Sequence, residues 1–150
     1  MASRSLKQYK LISMIKQIEI TLPAMSRGFH IITGEIMRNL PYLPQTGILN
    51  IFCKHTSCGL SINENCDPDV RIDMESIFKR LIPEKPSAYV HTIEGADDMP
   101  AHAKSSISGV SLTIPITNGK MNLGTWQGIY FCEYRNNGGA RKLVITIIGD

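Results

Sequence analysis

Residues 111–150 read SLTIPITNGKMNLGTWQGIYFCEYRNNGGARKLVITIIGD, a run rich in β-branched and aromatic residues. Such residues favour strands, because their side chains pack well on a pleated, half-buried surface. Asn118-Gly119 tolerates the positive φ angles of a two-residue hairpin turn, and the NNGGA segment at 136–140 marks a second break. We therefore expect long antiparallel hairpins here, built from the segments SLTIPIT, KMNLGTWQGIYFCEY and KLVITIIGD.

Four segments upstream of this region also have the features of strands. Residues 11–22 alternate loosely between apolar and polar side chains, as a half-buried strand does. The segment at 47–57 follows a cluster of Pro and Gly residues and is rich in β-branched residues, which predicts a central strand. The other two predicted strands are FHIIT at 29–33 and YVHTIEG at 89–95.

The clearest predicted helix covers residues 68–81. Asp67 suits the N-cap position and Pro68 suits the first helical position. Apolar residues recur at helical spacing, which predicts one buried face. The residues of this face are Val70, Met74, Ile77, Phe78 and Leu81.

A second helix is predicted at PAHAKSSIS, residues 100–108, with Asp97 or Asp98 as its cap. A shorter helix is predicted at GEIMRNL, residues 34–40. Because the strands come in runs and do not alternate regularly with helices, the chain is expected to have an α+β fold, mainly an antiparallel β-sandwich with two helices. The 150 residues show no composition break and are expected to form a single domain, 1–150.

The composition excludes several classes of protein. The chain is 43% hydrophobic and 19% charged, with a net charge of +3, which is typical of a folded globular protein and too mild for nucleic-acid binding. No apolar run is long enough to span a bilayer, and the N-terminus lacks the features of a signal peptide. We therefore expect a cytoplasmic protein without a membrane partner.

The cysteines are expected to be reduced thiols. Cys53, His55 and Cys58 form a C-x-H-x-x-C string, but no second pair of Cys or His residues completes a structural zinc set. Buried thiols are therefore the preferred interpretation.

The segment YVHTIEGADDMPAHAKSS, residues 89–106, carries two histidines, a glutamate, two aspartates and a lysine. Hydrophobic burial has no use for so many proton-transferring and metal-capable groups, whereas a cation site or a proton-transfer site needs them close together. In the predicted helix, His102 lies one turn from Ser106 on the same face. The segment therefore predicts a functional site.

Seven motifs resemble those of the YjbQ family in order and spacing. They are SRGFH (26–30), HTS (55–57), NENCDPDV (63–70), EGADDMPAHAKSS (94–106), ITNGK (116–120), GTWQGIY (124–130) and GGARK (138–142). The resemblance covers nearly the whole chain. It implies an α+β fold built on a β-sandwich, a homotrimeric assembly and the working name of secondary thiamine-phosphate synthase.

That reaction joins a pyrimidine methyl diphosphate to a thiazole phosphate and expels pyrophosphate, so its site must neutralise phosphate charge. The predicted ligands of a divalent cation are His91, Asp98 and His102, a set that suits Zn or Mn better than Mg. The predicted catalytic residues are His55, Glu94, Asp97 and Arg141. The predicted binding residues for a small phosphorylated heterocycle are Ser57, Gly59, Asn63, Lys104, Ser105 and Trp126.

Several of these residues also have structural interpretations. Capping of the predicted helix is enough to explain the presence of either Asp97 or Asp98. Trp126 can be a core or interface aromatic instead of a stacking platform. His30 is expected to be a hydrogen-bonded surface residue, and Glu133 is expected to orient a histidine.

Two other functions remain open at this point. The same polar residues could form a metal- or small-ligand-binding module without turnover, or a metal-assisted hydrolase. The chain has no G-x-S-x-G elbow, no P-loop and no dinucleotide fingerprint, which removes the common nucleophilic, nucleotide-driven and Rossmann alternatives.

Overall fold

Two antiparallel sheets enclose the main core in the computed structural model, which describes residues 14–150. The larger sheet has the strand order β1-β8-β3-β5-β6 and the smaller sheet has the order β2-β7-β4. The strands are β1 (Met14–Leu22), β2 (Gly28–Ile31), β3 (Thr46–Cys53), β4 (Cys58–Glu64), β5 (Ser111–Thr117), β6 (Lys120–Met121), β7 (Gln127–Glu133) and β8 (Arg141–Gly149).

Three α-helices connect the strands in the described part of the chain. They are α1 (Thr33–Asn39), α2 (Pro68–Leu81) and α3 (Asp98–Ser108), and a short 3-10 turn covers Pro86–Ala88. Among residues 14–150, no helix has the length and apolar character needed to cross a membrane.

The main core lies between the two sheets, because the strands turn alternate side chains toward it. In β8 these are Leu143, Ile145 and Ile147, and in β7 they are Ile129 and Phe131. The opposite face of β7 is buried as well, so this strand is covered on both sides.

A second, smaller core covers the outer face of the small sheet and seats the helices. Phe29, Tyr130 and Tyr134 pack there with Phe78 of α2 and Ala101 of α3. The ring of Phe29 meets that of Phe78 edge to face, with centroids 5.3 Å apart. The molecule therefore has a larger sheet, a smaller sheet and a helical layer, and the predicted α+β sandwich is confirmed.

The predicted hairpins are only partly correct. The turn at Asn118-Gly119 exists, with φ of 53° and 73°, but β6 has only two residues. The chain then crosses to the other sheet, where β7 pairs with β2 and β4. β8 pairs with β1 and β3, so β7 and β8 do not form a hairpin. The crossing buries the apolar face of β7 against that of β8 instead of placing the strands side by side.

Two of the other strand predictions are wrong. Residues 89–95 form no strand, and Val90 and Ile93 are 101% and 98% exposed, so no neighbouring strand or core supports them. The segment predicted as one strand over 47–57 ends at Cys53, turns, and is followed by β4, which the sequence did not predict. Of the predicted strand at 11–22, residues 11–13 lie outside the described range.

The helix predictions are confirmed with one correction. Asp67 caps α2, because its Oδ1 accepts from the Asp69 amide at 2.9 Å. Met74 and Phe78 pack against the second core, but Ile77 and Leu81 are 46% and 62% exposed. The apolar face of α2 is therefore narrower than the spacing predicted.

Candidate functional site

A group of His91, Asp98 and His102 lies at the start of α3. Asp98 and His102 are one helical turn apart on the same face, and His91 reaches the group from the preceding loop. The Asp98 Oδ2 atom lies 2.7 Å from His91 Nε2 and 3.2 Å from His102 Nε2. Their potential ligand atoms lie within 4.8 Å of one another. The structure thus brings together the three residues that the sequence predicted as metal ligands.

The hydrogen bond at the far side of His102 fixes where its proton lies. His102 Nδ1 is 2.9 Å from the backbone carbonyl of Thr56, which can only accept. We infer that Nδ1 carries the hydrogen, so the Nε2 atom of neutral His102 presents a lone pair to the Asp98 carboxylate. Two acceptors that face each other require a proton or a cation between them.

Arg135 holds the acidic side of this group, and the sequence reasoning missed it. Its Nε donates to Asp97 Oδ2 at 3.0 Å, its Nη1 donates to Asp98 Oδ1, and its Nη2 donates to the Glu94 carbonyl at 2.9 Å. The guanidinium occupies one oxygen of Asp98 and leaves Oδ2 to the histidines. Arg135 lies just beyond the end of β7, and nothing in its sequence context distinguishes it from a surface arginine.

Asp97 does not cap α3 with its side chain, which corrects that structural interpretation. Its Oδ2 instead accepts from the Asn136 amide at 2.9 Å and from Arg135. Burial alone would raise the pKa of Asp97, but these hydrogen bonds outweigh it and lower the pKa below its usual value. Two carboxylates beside one guanidinium leave an excess of negative charge next to the histidines, which favours a bound cation.

A cleft of about 670 Å³ opens beside His102. It lies between the end of β3, the turn at residues 54–57 and the outer side of α3. This volume is in the range of small-molecule sites. Its lining residues are Phe52, Cys53, Lys54, His55, Thr56, His102, Ser105, Ser106, Gly109 and Val110.

His55 lines this cleft but lacks a free ring nitrogen at Nε2. That atom accepts from the Lys142 amide at 2.8 Å, so Nε2 is deprotonated and its lone pair is occupied. Burial and the nearby Arg141 cation lower the pKa of His55 below 6.5. In this arrangement His55 is a neutral, structural hydrogen-bond acceptor, and its predicted catalytic role would need the Lys142 bond to break.

The lowered pKa of His55 predicts a pH dependence of stability. As the pH falls below about 6.5, the unfolded chain binds a proton at His55 that the folded chain resists, so stability is lost as the pH drops toward the folded pKa. We expect His55→Asn, whose amide oxygen can still accept, to weaken the loss of unfolding free energy between about pH 7 and pH 5. Urea unfolding at both pH values measures this, and an unchanged pH dependence in the variant would contradict it.

Arg141 and Glu133 form a buried ion pair. Arg141 Nε lies 2.8 Å from Glu133 Oε2, and Arg141 Nη2 lies 2.7 Å from Oε1 and 3.2 Å from Ser57 Oγ. Burial opposes its charge, but the hydrogen bonds to Glu133 raise the pKa of Arg141. Glu133 therefore orients an arginine and not a histidine, which corrects the sequence prediction. Arg141 and Ser57 support the turn below the cleft, and their predicted roles toward a substrate stay predictions.

Ser105, Gly59 and Lys104 are held by the packing of α3. Ser105 Oγ donates to the Cys58 carbonyl at 2.7 Å. A Cβ on Gly59 would lie 2.9 Å from the Gly109 carbonyl oxygen, so glycine is needed there for close packing. Lys104 is 1% exposed and is not among the residues that line the cleft, and burial and the Arg27 cation lower its pKa.

Asn63 and Trp126 lie in a different place. They line a separate hollow of about 460 Å³ with Glu64 and Gln127, and Trp126 is 61% exposed. The predicted binding residues are therefore distributed over two hollows and the buried face of α3. His30 is a hydrogen-bonded residue as expected, with Nε2 2.6 Å from the Ser26 carbonyl.

The structure is a small two-sheet α+β domain with a His-Asp-His group beside a cleft. The chain belongs to the YjbQ family, because the family model for "UPF0047 protein YjbQ-like" matches residues 16–150. It is 52% identical over 136 residues to the UPF0047 protein YjbQ of Salmonella typhimurium, covering 89% of this chain and 98% of that protein.

Solved structures show the same fold. A structural-genomics target from Clostridium acetobutylicum is 34% identical with a TM-score of 0.69. A second structure from that organism, of an uncharacterized conserved protein of the yjbq/upf0047 family, is 35% identical with a TM-score of 0.73. The match to this second structure covers 87% of this chain and 98% of the other chain. A YbjQ-like protein of unknown function from Sulfolobus solfataricus is 21% identical with a TM-score of 0.78, over 91% of this chain and 99% of that one, and shows the fold alone.

Proposed function

We propose that His91, Asp98 and His102 bind a divalent cation, and that the protein uses it in an enzymatic reaction on a small phosphorylated heterocycle. The observation that carries the proposal is the meeting of His102 Nε2 and Asp98 Oδ2 at 3.2 Å while the Thr56 carbonyl fixes the proton on Nδ1. A cation in place of the shared proton satisfies all three ligand atoms. Two nitrogens and one oxygen suit Zn or Mn better than Mg.

The surroundings of the three residues resemble the outer partners of metal ligands in proteins. A carbonyl or carboxylate that accepts from the other ring nitrogen orients a metal-binding histidine, and a ligating carboxylate is hydrogen-bonded in turn. Thr56 and Arg135 have these two roles here. The side chain of Asp98 is 1% exposed and that of His91 is 49% exposed, so the group is buried at Asp98 and accessible to solvent at His91. An open side leaves room for a substrate.

The proposed reaction is the condensation of a pyrimidine methyl diphosphate with a thiazole phosphate, as the family resemblance implies. A bound cation would neutralise the charge of the leaving pyrophosphate. Lys54 lines the cleft and carries a further positive charge, although it also contacts Glu19 at 2.8 Å. The cleft itself would hold the heterocycle, and Ser105 and Ser106 of α3 both contribute to its lining.

A second candidate is a cation-binding module without turnover. The observation that favours it is that the cationic side chains expected to bind phosphate are already paired with carboxylates or buried. Arg141 is paired with Glu133, Arg135 is paired with Asp97 and Asp98, and Lys104 is buried outside the cleft lining. Few positive charges are then left to hold two phosphorylated substrates.

One experiment separates these candidates. The native protein, His102→Ala and the matched control His30→Ala are each measured for bound metal and for thiamine-phosphate synthase activity with added Zn²⁺ or Mn²⁺. His30 also bonds to a backbone carbonyl but lies outside the group, so its variant should behave as the native protein does. Metal-dependent turnover that disappears only in His102→Ala supports the enzyme. Metal binding lost in the same variant without turnover in any protein supports the module, and metal binding retained in His102→Ala contradicts both.

The proposal includes a cytoplasmic homotrimer, as the resemblance and the composition led us to expect. Its support is the exposure of large apolar side chains near the site, most of all Val90 and Ile93 in the loop that carries His91. Contact with another subunit would cover such side chains. Sedimentation of the purified protein tests the assembly.

A further inference from the structure

Two buried thiols meet beneath the turn that borders the cleft. Cys53 ends β3 and Cys58 begins β4, and residues 54–57 form the turn between them. The two Sγ atoms lie 3.4 Å apart, and both residues are unbridged and nearly inaccessible, at 2% and 0% exposure. A disulfide bond is about 2.0 Å long, so the sulfurs need to approach each other by only about 1.4 Å.

The surroundings make the two thiols chemically unequal. The hydrogen bond with the Cys58 thiol, in which either sulfur can donate, and the hydrogen bond from the His55 backbone amide lower the pKa of Cys53, although burial opposes them. The same interaction with Cys53, together with burial, raises the pKa of Cys58. Cys53 is thus the better nucleophile and Cys58 the neutral thiol beside it.

Cys53 also has the better access to small solutes. It lines the cleft of about 670 Å³, which is open to solvent on one side. A peroxide is close in size to two water molecules and can enter such a space. Cys132 is buried among Phe29, Tyr130 and Tyr134 in the second core, and Cys66 is exposed but has no cysteine within bonding distance in the described residues.

We propose that Cys53 and Cys58 are a redox-active pair that forms a reversible intramolecular disulfide. The Cys53 sulfur attacks hydrogen peroxide, the O–O bond breaks, and Cys53 becomes a sulfenic acid with release of water. The Cys58 sulfur then attacks the Cys53 sulfur, its proton goes to the departing hydroxyl, and a second water is released. Two thiols are oxidised by one peroxide, and a dithiol reductant restores them.

The bond would constrain the turn that carries Thr56, whose carbonyl accepts from His102 Nδ1. It would also constrain His55, which accepts from the Lys142 amide. The pair is therefore placed where its oxidation state can act on the cleft, but the disulfide itself does not depend on the proposed function.

Peptide mapping tests the pair directly. Trypsin cleaves after Lys54, between the two cysteines, so a disulfide would join peptide 39–54 to peptide 55–71. Because peptide 55–71 also contains Cys66, the folded Cys66→Ser variant is used. The variant is treated with hydrogen peroxide, alkylated in denaturant and digested with trypsin. The peptide masses are then measured by mass spectrometry before and after reduction of the digest with dithiothreitol.

The expected result is a loss of free thiol at Cys53 and Cys58 together, with a joined peptide that separates on reduction. Cys132 should stay alkylatable, which makes it the internal control. Alkylation of both cysteines after peroxide treatment would overturn the proposal. Oxidation of Cys53 to a sulfinic acid without a joined peptide, or a bond from either cysteine to Cys132, would overturn it as well.

Discussion

Replacing Asp98 by Asn is expected to weaken the affinity of the protein for Zn²⁺ or Mn²⁺ by about 100-fold or more. Loss of an outer hydrogen-bond partner of a metal ligand alone typically costs about 10–100-fold, and Asp98 supplies a ligand atom. The substitution removes the negative charge that both histidines face at 2.7 and 3.2 Å. Isothermal titration of the metal-free protein with each cation measures the change.

Asp73→Asn is the matched control for this variant. Asp73 is an exposed residue of α2, and its substitution removes the same charge from the chain without touching the group at the start of α3. The control should keep the native affinity. Equal weakening in both variants would indicate a general effect of net charge, and native affinity in Asp98→Asn would show that the cation binds elsewhere or not at all.

Replacing Glu133 by Gln is expected to lower the free energy of unfolding by about 3–5 kcal/mol, the usual cost of removing one partner from a buried ion pair. The side chains of Glu133 and Arg141 are 0% and 6% exposed. The variant leaves the Arg141 charge buried beside the cysteines without its carboxylate. Urea unfolding of the native protein and the variant at one pH measures the loss.

Glu19→Gln provides the comparison for an exposed pair. Glu19 contacts Lys54 and Lys142 at the surface, where water screens the charges, so its loss should change stability far less. A double variant, Glu133→Leu with Arg141→Met, should be more stable than the sum of the two single changes predicts, because no unpaired charge remains. A Glu133→Gln variant as stable as Glu19→Gln would show that the buried pair contributes little.

The local features of the fold were accessible from the sequence. Asp67 and Pro68 marked the start of α2 because capping and the first helical position depend on adjacent residues only. Asn118-Gly119 marked its turn for the same reason. The sequence did not predict that β7 lies in a different sheet from β5 and β8. Alternation of apolar and polar residues shows that a strand has a buried face, but not which sheet covers that face.

In the candidate site, too, the local features were predicted from the sequence and the long-range contacts were not. The three residues of the group were predicted because acidic and histidine residues were concentrated in one segment. The pairing of Asp98 with His102 was not predicted, because α3 begins at Asp98, two residues before the predicted start. Arg135 comes from a segment distant in sequence, so only the tertiary structure shows that it holds Asp97 and Asp98. The strand predicted at 89–95 failed because Val90 and Ile93 favour strands locally but have no partner in the fold.

The contact between Cys53 and Cys58 was also not predicted from the sequence. Alternation along one continuous strand would place Cys53 and Cys58 on opposite faces. The turn at residues 54–57 instead reverses the chain between β3 and β4, and the two sulfurs meet at 3.4 Å. Their burial was predicted, but their contact follows from a turn without Gly or Pro that gave no signal in the sequence.

The central claim is that one divalent cation binds between His91, Asp98 and His102. Anomalous diffraction from crystals of the native protein grown with Zn²⁺, recorded on both sides of the zinc edge, tests it most directly. An anomalous peak is expected within bonding distance, about 2.0–2.2 Å, of His91 Nε2, His102 Nε2 and an Asp98 carboxylate oxygen. A zinc peak only at other residues, with the His102–Asp98 contact unchanged, would contradict it.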